Sequence, residues 1–169
     1  MRIRIRDTGQ VMYENEYRRE FAHLLPPPTL TEAWLNGAGA DVVFEGPAAT
    51  GGTVYQYSQY DGVEQKEDGN WYTKYILGPV FTDTTDEDGT VTTAADNQAA
   101  YEARMDAKQA ENQRAERDKK LAACDWTQLA DSPLTDEQKT AWGTYRQALR
   151  DVPAQDGFPW EITWPSEPE

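Results

Sequence analysis

From Ala94 to about Ala123 the chain reads AADNQAAYEARMDAKQAENQRAERDKKLAA, rich in alanine and charge and without a single glycine or proline. Such a run has high helix propensity, and pairs such as Glu116 with Lys120 and Glu111 with Arg114 support it locally. About 30 residues rising roughly 1.5 Å each make a rod of roughly 45 Å. The rod divides the chain, so what lies on either side must find its own core. Its large apolar residues are Tyr101, Met105 and Leu121 alone. The best heptad register, Tyr101, Met105, Lys108, Asn112, Ala115, Lys119 and Ala122, is close to half polar, which argues against a self-standing coiled coil. The expectation is a solvated spacer helix over 94–123, with pairing to symmetry mates or to a partner as the functional alternative.

After the rod comes LAACDWTQLADSPLTDEQKTAWGTYRQALRDVPAQDGFPWEITWP, residues 121–165. Thr135 with Gln138 three residues on forms a capping box, so a helix starts at Asp136. Trp142, Tyr145, Leu149 and Val152 recur along it at helical spacing, and Pro153 stops it. Trp126 and Leu129 precede this helix. Phe158, Trp160, Ile162 and Trp164 follow on alternate positions, as a short extended segment would place them. The pattern predicts one helix held between two aromatic flaps, with large rings supplying the buried area that so short a segment needs.

Three groups of residues occur here together and in order: Cys124-Asp125-Trp126-Thr127 ahead of a Pro133-Leu134-Thr135 helix start, Trp142 to Tyr145-Arg146 to Leu149-Arg150, and Phe158-Pro159-Trp160. In them the segment resembles the C-terminal domain of bacteriophage tail assembly chaperone proteins. The resemblance implies a small non-enzymatic domain that helps a tail fibre fold, trimerise or attach, and that in some relatives stays on the particle. The N-terminal arrangement PPPTLTEAWLNGAGADVVFEGP, VYQYSQYDGVEQ and GNWYTKYILGP is similar to the first half of phage tail proteins that carry the same C-terminal domain. That similarity implies a docking domain.

Upstream, RIRIR and Val11-Met12-Tyr13 flank a turn at Asp7-Thr8-Gly9 and read as a hairpin, with Ile3 and Ile5 covered. Arg2, Arg4 and Arg6 then face outward, as on a solvated edge strand. Glu14 to Leu25 reads as a short amphipathic helix ended by Pro26-Pro27-Pro28, and Thr29 to Leu35 as one or two helical turns closed by Asn36-Gly37. Strands are expected at Val42-Val43-Phe44, Thr53 to Tyr60 and Asn70 to Leu77, with Asp68-Gly69 as a turn. The fold class is α+β: an antiparallel meander with short helices over 1–82, an acidic linker over 83–93, the spacer over 94–123 and the aromatic domain over 124–169, elongated as a whole. The surplus of tyrosine and tryptophan in the meander admits a sugar-binding face beside the plainer reading of rings as core.

Acidic residues outnumber basic ones by 30 to 16, for a formal net charge of -14, which repels nucleic acid backbones. One cysteine makes no internal disulfide, and no run reaches the roughly 18 apolar residues that span a bilayer. The expectation is a protein made in a reducing host cytoplasm and retained on the virion tail, without nucleic-acid or membrane partners. The sole histidine, His23, has no second ligand near it in sequence, and the Asp86-Glu87-Asp88-Gly89 turn lacks the first and twelfth carboxylates of an EF-hand, so no metal and no cofactor is expected. Cys124 and His23 fall in different modules and no serine has a nucleophile's framing, so no catalytic residue is expected either.

The expected function is therefore binding to a tail fibre through Trp126, Trp142, Tyr145, Arg146, Leu149, Arg150, Phe158, Trp160 and Trp164, as core and contact surface together. Arg146 and Arg150 lie beside the apolar stripe and suit polar contacts. An adaptor joining fibre to baseplate is the alternative, and a glycan-binding module a third; self-association through the rod is left open.

Overall fold

The computed structural model describes residues 1–168. The chain forms two compact units, Met1–Val80 and Phe81–Glu169. The first contains β1 (Arg2–Ile5), β2 (Val11–Tyr13), α1 (Glu14–Glu20), α2 (Glu32–Gly37), β3 (Ala40–Phe44), β4 (Tyr57–Gln65) and β5 (Trp71–Gly78). The second contains a small hairpin of β6 (Thr84–Thr85) and β7 (Val91–Thr92), then α3 (Ala94–Ala123) and α4 (Asp136–Asp151), with 3-10 turns at Asp125–Gln128 and Val152–Ala154.

The fold is α+β, but the sheet of the first unit is mixed rather than an antiparallel meander. Its order is β2-β1-β3-β5-β4, and β3 runs parallel to β5 with Val43 opposite Trp71 and Phe44 opposite Tyr72. A meander would put β4 beside β3. Instead the chain leaves β3 at Gly46, whose amide donates to Thr73 Oγ1 at 2.8 Å. A Cβ on Gly46 would stand 2.0 Å from the Thr73 carbonyl oxygen, so only glycine lets this backbone lie against β5. The segment after it crosses to Ser58, where the Ala49 amide bonds Oγ, and β4 therefore takes the outer edge.

β1 is not an edge strand, because it pairs antiparallel with β2 on one side and β3 on the other. The arginines are engaged as a consequence: Arg4 stacks 3.9 Å from the Trp71 ring centroid, Arg2 lies 5.0 Å from that of Tyr60, and Arg4 and Arg6 both pair with Asp41. Helix α1 stops at Glu20 and a 3-10 turn over Ala22–Leu24 replaces its expected last turn. The strand expected from Thr53 starts at Tyr57 and continues to Gln65 through a bulge between Tyr60 and Val63.

The core of this unit is Ile3, Met12, Tyr17, Leu30, Leu35 and Ala40, with Ile5, Phe21, Trp34 and Val42 packed against it. Full burial of side chains such as Ile3 and Leu35 contributes roughly 1.5–3 kcal/mol each. Tyr17 is fully buried and stacks on Phe21 at 4.7 Å, yet its hydroxyl has no hydrogen-bond partner among the described residues. Removing a buried unpaired hydroxyl relieves a desolvation cost, so Tyr17→Phe is expected to raise stability by about 1 kcal/mol in equilibrium unfolding. An equal or larger loss would show that the hydroxyl is satisfied. Burial also holds the Tyr17 phenol above its ordinary pKa. The neutral form is then the folded one, so this contribution is intact below an unfolded pKa of about 10 and is lost as pH rises past it, an alkaline slope that Tyr17→Phe should reduce.

In the second unit α3 has the bounds that its composition predicts, closed at the start by a Thr93–Asp96 capping box. Of the heptad positions, Tyr101 and Met105 are partly covered, and the register fails after them. Lys108, Asn112, Ala115, Lys119 and Ala122 are exposed, while Asp106, Gln109, Ala110, Gln113, Arg117, Lys120 and Leu121 are wholly or partly covered. Past Met105 the covered stripe is largely polar, which is why a search for apolar periodicity misses it. The tail after Pro153 turns at Gly157, where the amides of Trp160 and Glu161 both bond the Gly157 carbonyl, so an extended segment does not form there.

Candidate partner-binding surface

Helix α4 positions the site, and its start is set by local chemistry. Thr135 Oγ1 accepts from the Gln138 amide at 3.3 Å and Gln138 Oε1 accepts from the Thr135 amide at 3.0 Å, the expected capping box. From that start Trp142, Tyr145, Arg146 and Leu149 fall on one buried face. They meet Cys124, with Leu121, Leu134 and Trp164 packed around them. Trp142 and Tyr145 are 5.7 Å apart in an edge contact, and Trp126 lies 6.2 Å from Trp142 on the other side.

Trp126 differs from the rest of the cluster in exposure. It sits on the 3-10 turn Asp125–Gln128 and is 46% exposed, and Leu129 just after that turn is 57% exposed, whereas Trp142 is 7% exposed. The Trp126 indole is thus backed by a buried ring and open to solvent on its remaining surface.

The turn that carries Trp126 is pinned by polar contacts that sequence reasoning missed. Arg146 Nη1 donates to the Leu121 carbonyl at 2.9 Å and to Cys124 Sγ at 3.1 Å, and Nη2 pairs with Asp125 at 2.8 Å. Thr127 Oγ1, fully buried, donates to the Cys124 carbonyl at 2.7 Å. Arg146 is thus a strut between the end of α3 and α4, 8% exposed, and not a cation held out for a partner. Burial works against its charge, but the bonds to Asp125 and Cys124 outweigh that and raise its pKa further above the ordinary arginine value. Burial likewise raises the Tyr145 phenol. Arg150 is exposed and forms no ion pair among the described residues, so it remains available.

The other three predicted residues lie along α3. Phe158 sits 5.3 Å under the Arg114 guanidinium, Trp160 Nε1 donates to Asp106 Oδ1 at 2.6 Å, and Trp164 lies 5.5 Å under Lys120 while also touching the α4 cluster. All three are half-buried. The second aromatic flap is therefore a strap held on a helix by cation–π contacts and one indole–carboxylate bond. Asp106, Arg114 and Lys120 gave no signal in sequence, because charged residues on an alanine-rich helix read as a solvated face.

Among the described residues no group of three or more His, Cys, Asp and Glu side chains could hold a metal ion, and no helix is long and apolar enough to cross a membrane.

A protein-family model described as phage tail assembly chaperone protein matches residues 110–169. No curated protein and no solved structure gives a match. The match contains the whole segment that resembled this family in sequence and extends it upstream to Ala110, the one buried residue of α3 among those described. It thus takes in the part of α3 that carries Arg114 and Lys120, on which the strap rests. Over residues 110–169 the chain is therefore similar to the phage tail assembly chaperone protein family.

Proposed function

We propose that this chain binds a phage tail fibre through its C-terminal unit and assists the folding, trimerisation or attachment of that fibre, without enzymatic chemistry. The observation that carries the reading is Trp126 with Leu129: two large apolar side chains left in solvent, on and just after a turn tied down by hydrogen bonds of Arg146 and Thr127. A newly made fibre chain exposes apolar surface until it trimerises, and a pre-organised aromatic anchor can shield such surface at little entropic cost. Arg150 would add a polar contact at the rim. The match of residues 110–169 to a phage tail assembly chaperone family supports a role in tail assembly inside the host cell. Phe158, Trp160 and Trp164 support the surface from the α3 side.

The test is co-expression with the fibre gene product and affinity measurement. Trp126→Ala is expected to weaken fibre binding by roughly tenfold. Because almost half of this ring is already in water, the same substitution should cost the fold only about 1 kcal/mol. Unchanged affinity and unchanged yield of trimeric fibre would remove Trp126 from the contact surface.

The division into two compact units favours a second reading, in which the first unit docks on a baseplate protein while the second holds the fibre, and the chain stays on the virion tail. Quantitative mass spectrometry of purified particles separates the two. A fixed ratio to the major tail subunits makes the chain an adaptor, and abundance in lysate with loss from particles makes it a transient chaperone.

A further inference from the structure

Where α2, β1, β3 and the β4–β5 turn meet, the first unit holds a cleft of about 560 Å³. It exists because β5 begins only at Trp71, opposite Val43, so Asp41 and Val42 on that side of β3 border open space instead of a neighbouring strand. The volume is in the range of small-molecule sites. The lining is not, since Val42 is its sole aliphatic side chain.

Charge in the cleft is balanced and already engaged. Arg4 and Arg6 both bond Asp41, at 3.3 and 2.8 Å, and Glu32 supplies a second carboxylate to match the second guanidinium. A ligand ion of either sign would meet a like charge, and an apolar ligand would strip water from polar groups without replacing their bonds.

Several polar ends are left unused. Asn36 accepts from Arg6 through Oδ1, which leaves its Nδ2 donor. Gln65 donates to the Gly69 carbonyl at 2.8 Å, which leaves Oε1, and Asn70 donates to Asp68 at 3.1 Å, which leaves Oδ1. The Glu32 carboxylate has no hydrogen bond or ion pair among the described residues. Amide and carboxylate forks of this kind match hydroxyl groups, each of which can donate to one and accept from another. The Arg4–Trp71 stack adds a flat wall beside them.

We propose that this cleft is a binding site for a neutral saccharide, recognised through vicinal hydroxyls by Asn36, Gln65, Asn70 and Glu32. It is independent of the fibre-binding reading, because every residue involved lies in Met1–Val80. The recognition differs from the ring-stacking face expected from composition. Tyr60, Trp71 and Tyr72 each have a cation over the ring, from Arg2, Arg4 and Lys66, so hydrogen bonding rather than open aromatic surface is the means.

The experiment is a nuclear magnetic resonance titration of the full chain with methyl glycosides of glucose, galactose and N-acetylglucosamine, with glycerol as the control polyol. Shifts confined to the Asn36, Gln65 and Asn70 side-chain amides and the Trp71 indole, with a dissociation constant on the order of 1 mM for at least one glycoside, are expected. Gln65→Ala and Glu32→Ala, both at exposed positions, should each weaken that binding roughly tenfold. Their amide spectra should otherwise match the parent, which confirms the fold. Three outcomes overturn the proposal: no local shift with any glycoside, the same shifts with glycerol, or shifts at these residues with an acidic hexapeptide and none with the glycosides.

Discussion

Trp142→Ala is expected to cost about 3–5 kcal/mol, the range for deleting a large aromatic from a packed core. The ring is 7% exposed and is contacted by Trp126 at 6.2 Å and Tyr145 at 5.7 Å, so its removal leaves a cavity between α4 and the Asp125–Gln128 turn and takes away two aromatic pairs at once. Against a total stability of roughly 5–15 kcal/mol, that loss removes much of the margin of the unit. Far-ultraviolet circular dichroism in denaturant is the suitable measurement, because α3 and α4 hold most of the helix in the chain and their signal follows the second unit. The melting of that signal should move to clearly lower denaturant, while Trp126→Ala moves it little. If the two substitutions cost the same, the division into a buried ring and an exposed anchor is wrong. A Trp142→Ala chain that keeps full stability and full fibre yield would undo the fibre-binding assignment as well.

What could be read from sequence, and what could not, follows from how each residue makes its contacts. Helix α4 was legible because its cap and its stripe are local: Thr135 and Gln138 are three residues apart, and Trp142, Tyr145 and Leu149 repeat with the helix. The bounds of α3 were legible because composition alone sets them. Its contacts with the tail were hidden, since Asp106, Arg114 and Lys120 meet Trp160, Phe158 and Trp164 from more than forty residues away in the chain. The place of Arg146 was hidden for the same reason. A cation beside an apolar stripe reads as a rim residue unless its partners are known, and two of those partners, a carbonyl and a thiol, carry no charge to announce them. In the first unit the hairpin of β1 and β2 was a local signal. The parallel pairing of β3 with β5 was not, because it depends on Gly46 clearing the Thr73 carbonyl, a contact between strands that local patterns do not encode.

Arg146→Ala should cost about 2–4 kcal/mol, next in size to the loss of Trp142. The guanidinium spans from α4 to the Leu121 carbonyl, Cys124 Sγ and Asp125, so its removal unpairs the end of α3 and empties the space that its stem fills. The ion pair itself is the smaller part, because the Asp125 side chain is 66% exposed and solvent screens it. Asp125→Asn should therefore cost no more than about 1 kcal/mol. Arg146→Met separates the remaining contributions: it restores the stem but not the bonds, and should recover roughly half of the loss. The turn that carries Trp126 depends on those bonds, so Arg146→Met should also loosen that indole, read as faster amide exchange at Trp126 and Thr127 and as weaker fibre binding than stability alone accounts for. If Arg146→Met binds fibre as tightly as the parent, the rigidity of the turn is irrelevant to recognition. If Asp125→Asn proves as costly as Arg146→Ala, the exposed ion pair rather than the buried strut holds the two helices together.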